Sequence, residues 1–156
     1  MSGALAVAAA WLDAAGVRAW AAGDVYPIVN TVHLLGLVML IGAIGVVDLR
    51  VAGAWRALPA ATLSRALTPV AVAGLAIMIP SGALLFAADG AALATSGVFQ
   101  AKLLLIVTAL INVVLFHVLS HGRLDPAPMP ARALALASLG LWLSIGALGR
   151  LIAYSA

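Results

Sequence analysis

The sequence predicts an all-α integral membrane protein: a four-helix bundle preceded by an amphipathic helix at the interface, one membrane domain over residues 1–156. Three observations carry this. The chain is 65% apolar and only 8% charged, whereas a soluble domain is about 25% charged. Four apolar stretches each reach the roughly 20 residues that cross a bilayer. Most charges fall between or at the ends of those stretches.

Residues 4–22 read ALAVAAAWLDAAGVRAWAA and hold Asp13 and Arg18, too polar to span. They are expected to lie along the interface with Trp11 and Trp20 at headgroup depth. No basic segment precedes the first apolar run, so a cleavable signal is not expected. The first span is 26–47, opened by Pro27 as a helix-start residue. The second is 67–88, with Pro69 in its first turn and Pro80 inside it, where loss of one backbone hydrogen bond predicts a bend. A short turn at Asp89-Gly90 leads to the third span, 99–120, and the Pro-rich DPAPMP turn to the fourth, 133–154. Glycines on several helices allow close backbone approach, the main source of helix association in lipid.

Arginine sets the orientation. Arg50, Arg56, Arg65, Arg123 and Arg132 occupy the first and third connections, while the other side has Arg18. The positive-inside rule then puts both termini outside, in the periplasm if the membrane is a bacterial inner membrane. Asp48 and Arg50 are expected to form a local ion pair at the inner end of the first helix, and Asn112 an interhelix hydrogen bond.

Several chemistries are excluded or unsupported. The chain has no cysteine, hence no disulfide, iron–sulfur cluster or covalently attached c-type haem. It has no glutamate, phosphate loop or serine–histidine–acid set. The net charge of +3 comes without a Lys/Arg run, so nucleic acid is not an expected partner.

What stands out is charge within the spans. An ionisable residue in hydrocarbon is costly and is a functional candidate by default. At about 1.5 Å rise per residue, His33 lies about 5 Å outward of its helix centre, Arg150 about 10 Å and Lys102 about 12 Å. His117 lies about 10 Å to the other side, too far from His33 to share one iron. A haem standing in the outer leaflet with His33 as proximal ligand would direct its propionates toward Lys102 and Arg150. Gly36, one turn from His33, is expected to clear space for the porphyrin edge. Met78 is a candidate weak sixth ligand or core filler. His117 and His121 share a helix face at i, i+4, a spacing that can bind metal, with Asp48 or Asp125 as a carboxylate from the same side.

HLLGLVMLIGAIGVVDLR, PVAVAGLAIMIPSGALLF and VFQAKLLLIVTALINVVLFH resemble, in that order, the first three helices of small bacterial four-helix membrane proteins. These are the relatives of the copper-resistance D domain and the four-helix protoporphyrinogen oxidases. The likeness covers roughly residues 26–120 and is nearest to an uncharacterised family with a Tyr-Pro…His-Leu-Leu-Gly opening. The resemblance implies b-type haem on His33 and a required lysine at Lys102. After the histidine this chain reads LVMLIGAIG where the oxidases carry Trp-Phe-Gly-Gly, so haem binding carries over rather than oxidase activity.

The resulting expectation is a haem b protein acting in electron transfer or oxidoreduction. The alternatives are a copper or small-solute transporter, with copper as the metal, and a cofactor-free structural subunit of a larger membrane complex. Membrane lipids, a further copy or a larger complex, and a periplasmic redox or metal-carrier protein are the expected partners.

Overall fold

The computed structural model describes the backbone of residues 1–120 and 122–155, and side chains up to 152 except that of His121. Every regular element among the described residues is an α-helix: α1 Ser2–Ala14, α2 Val17–Ala21, α3 Tyr26–Ala52, α4 Ala60–Thr95, α5 Gly97–Ser120 and α6 Met129–Ser155. The last four are long and apolar enough to cross a membrane. Many of their large side chains, among them Val38, Ile79, Val114 and Leu143, face outward. A water-soluble bundle would bury them.

Small residues set the packing. α3 and α4 make the most extensive contact, α5 packs along α6, and α3 against α6 joins the two pairs, while α4 and α5 barely touch. At the α3–α4 crossing Gly36 faces Gly74. A Cβ on Gly74 would sit 2.6 Å from the Gly36 carbonyl oxygen, and one on Gly36 would sit 2.9 Å from that of Gly74. Leu40, Ala43, Ala71, Ala109, Trp142 and Ile145 fill the centre. Asn112 donates across to the Leu134 carbonyl at 3.1 Å, the expected link between α5 and α6.

Three expectations need correction. The N-terminal segment is two helices, because Gly16 takes a left-handed conformation, φ 73°, between them. Both pack on the C-terminal end of α4, with Ala9 of α1 against Gly90; Trp11 and Trp20 remain exposed.

The second span is longer than 67–88. The backbone stays helical through Pro69 and Pro80, departs from helical angles at Asp89, then continues to Thr95. The chain reverses at Ser96 instead of at Asp89-Gly90. Alanine has the highest helix propensity, which favours helix through the AALAT run beyond Gly90.

The third correction concerns charge. Arg50 pairs with Asp125, at 2.5 Å, instead of with Asp48. Asp125 also accepts the Ala60 N–H at the start of α4, so one carboxylate ties the third connection to the first. Asp48 is buried, with Oδ2 accepting no hydrogen bond among the described residues.

Candidate functional site

His33 projects from α3 toward α4, where its Nδ1 lies 2.9 Å from the Ser81 hydroxyl oxygen. That hydroxyl has one proton and donates it to the Ile77 carbonyl, 2.6 Å away in the preceding turn. With that proton on the carbonyl, the hydroxyl oxygen is free to accept from Nδ1–H of the imidazole, the tautomer in which Nε2 keeps its lone pair and a neutral histidine binds metal. A hydrogen bond from the second ring nitrogen is the usual means of orienting a ligating histidine. The Met78 backbone carbonyl also lies beside the ring. Gly82 completes the setting: a Cβ there would meet His33 Cε1 at 3.2 Å.

These neighbours follow from the helix. Ser81 faces the α3 seam with Gly74, seven residues earlier and two turns below, so the contact that brings the backbones together also brings the hydroxyl to the imidazole. Ser81 is 5% exposed. A serine in that position needs partners, and it has two.

Lys102 reaches in from α5. Its Nζ lies 3.2 Å from the position a Cβ on Gly149 of α6 would take, so this glycine makes room for the ammonium. Lys102 is half-buried and near enough to act electrostatically on His33. Arg150, the next residue on α6, is at the same end but exposed. His33 on one helix pair and Lys102 on the other thus lie toward the same end of the bundle, with exposed Arg150 beside the Gly149 that Lys102 meets.

Two expected participants have other work. Gly36 clears no open space, since Gly74, Met78 and Ile77 occupy its surroundings. The Met78 side chain packs on Gly36 and the central core, and its carbonyl, not its sulfur, is what the contacts place beside His33. Ser81 and Gly82 are site residues that the sequence does not single out; the signal pointing to them is their place directly after Pro80, where the sequence predicts a bend.

The opposite end does not share this site. His117 is exposed and bonds its own Val113 carbonyl through Nδ1, at 2.8 Å. His121, its expected metal-binding companion, lies outside the described residues. Asp125 is engaged by Arg50 and Ala60. Among the described residues, no three His, Cys, Asp or Glu side chains gather into a group that could hold a metal ion.

Residues 10–155 match a family of unknown function, DUF6644. No curated protein and no solved structure matches.

Proposed function

The chain belongs to the DUF6644 family, and from its own residues we propose that it is a b-type haem-binding protein of the bacterial inner membrane, acting in electron transfer or oxidoreduction. The observation that carries this reading is the His33–Ser81 pair in a spanning helix: with Nδ1 donating to the hydroxyl, Nε2 would be the ligating nitrogen. Lys102 is the cation best placed for a propionate, with Arg150 as a second at the rim. Haem would supply a one-electron ferrous–ferric couple. The protein's residues hold the imidazole in one tautomer and offer positive charge to the carboxylates. A periplasmic redox protein is the fitting partner for an outer-leaflet site.

The test is a visible absorption spectrum of the full chain purified after expression with ample haem. A Soret band with near-stoichiometric haem is expected, and a colourless protein would end this reading. Ser81→Ala should leave the ligand in place but loosen its orientation. Loss of such a supporting hydrogen bond typically costs about 10- to 100-fold in metal affinity. Haem titration of the apoprotein checks it: unchanged affinity would remove Ser81 from the site.

Both termini are placed in the periplasm, since the arginine-rich connections belong on the cytoplasmic side. A periplasm-active reporter fused after Ala156 should be active and one inserted near Arg56 inactive. The reverse pattern would put the His33 site in the inner leaflet.

A further inference from the structure

At the arginine-rich end, a cleft of about 350 Å³ opens between the C-terminus of α3, the loop after it and the chain entering α6; Arg50, Gly53, Arg56, Asp125 and Arg132 line it. We propose that this cleft binds a phosphate group, as the headgroup of an anionic phospholipid or as free phosphate. The inference is independent of the haem reading and concerns the other end of the molecule.

The charge balance carries it. Three guanidinium groups meet one carboxylate. Asp125 is fully engaged: Oδ1 accepts from Arg50 at 2.5 Å and Oδ2 from the Ala60 N–H at 2.6 Å. Arg50 is buried and acts as scaffold, donating also to the carbonyls of Leu58 and Arg56 and so fixing the loop that carries Arg56. Arg56 and Arg132 then remain with no carboxylate partner among the described residues.

Gly53 makes the two converge. Its φ of +123° is one that side chains rarely adopt. A Cβ there would lie 2.8 Å from Arg132 Nη2 and 3.9 Å from Arg56 Nη2. Arg132 donates one N–H to the Ala52 carbonyl at the end of α3, and a guanidinium has five. Two planar donors converging on one small cleft match phosphate, which arginine binds bidentately. The cleft sits where two spanning helices end, at headgroup depth, and Trp55 and Leu58 beside it are exposed apolar side chains suited to acyl chains. Basic pockets between membrane helices are a recurrent form of headgroup site.

The test uses the full chain in neutral detergent, titrated with short-chain phosphatidylglycerol, with phosphatidylcholine and with inorganic phosphate. Phosphatidylglycerol should bind at least about tenfold more tightly than phosphatidylcholine, with affinity falling as salt rises. Arg56→Gln, whose side chain bonds nothing else among the described residues, should weaken binding about tenfold. R56Q/R132Q should weaken it further, and Arg18→Gln, at the opposite end, should change nothing. Displacement of the lipid by millimolar inorganic phosphate would identify free phosphate as the ligand; resistance to it would identify the headgroup. Equal affinity for both lipids, or full affinity in R56Q, overturns the proposal. Because R56Q leaves the Arg132–Ala52 bond intact, it decides the matter even if the double variant fails to fold.

Discussion

His33→Ala is expected to abolish stoichiometric haem binding while leaving the helices intact. On the proposed reading the imidazole is, among the described side chains of the site, the one that would ligate iron, so its removal would delete the bond instead of weakening it. The bundle survives because each span satisfies its backbone hydrogen bonds internally and because what His33 gives up is its bond to Ser81 and its contact with the Met78 carbonyl. Ser81 keeps its bond to Ile77. Lys102→Ala should behave differently. It removes one charge-assisted contact, worth about 1.5–3 kcal/mol, so haem affinity should fall by about 10- to 150-fold with the Soret position unchanged. Far-ultraviolet circular dichroism and a haem titration on both variants check this. Full haem retention in His33→Ala would show that the ligand is elsewhere.

Gly74→Ala is expected to be among the most damaging small substitutions in the chain. The new methyl group would sit 2.6 Å from the Gly36 carbonyl oxygen and 2.7 Å from the Leu40 backbone nitrogen. Both are backbone atoms of α3, so no side chain can rotate away and the two helices must separate. Overpacking of this kind costs about 1–3 kcal/mol, and here it falls on the most extensive helix contact in the molecule. The effect should reach the site: moving α4 away from α3 also moves Ser81 from His33. Thermal stability in detergent and haem affinity should therefore fall together in Gly74→Ala. Gly42→Ala, where a Cβ meets nothing within 4 Å, should change neither. A Gly74→Ala protein as stable as Gly42→Ala would contradict the close crossing.

The spans were legible because hydrocarbon imposes a simple demand: each must be long and apolar enough to cross. Their ends were harder to read. The continuation of α4 past Asp89 runs through sequence that also suits a turn, and a local pattern does not reveal that α1 and α2 will cover it. The site was half legible. His33 and Lys102 are conspicuous because charge is rare in such a chain. Ser81 and Gly82 are not, since serine and glycine are ordinary in membrane helices.

By itself the sequence determined the class of the molecule, four apolar helices with arginine gathered at one end, because composition and length decide what a bilayer accepts. Tertiary structure decided the partners. Arg50 found Asp125, 75 residues away, instead of Asp48 two residues away. Adjacent side chains on a helix point in different directions, whereas the returning chain brings a carboxylate directly to the guanidinium. Gly36 became part of a helix crossing because α4 fills the space beside it, and Ser81 became the orienting partner of His33 because that crossing sets their register. Which residues meet across helices is set by packing between faces, a long-range property that periodicity along one chain does not contain.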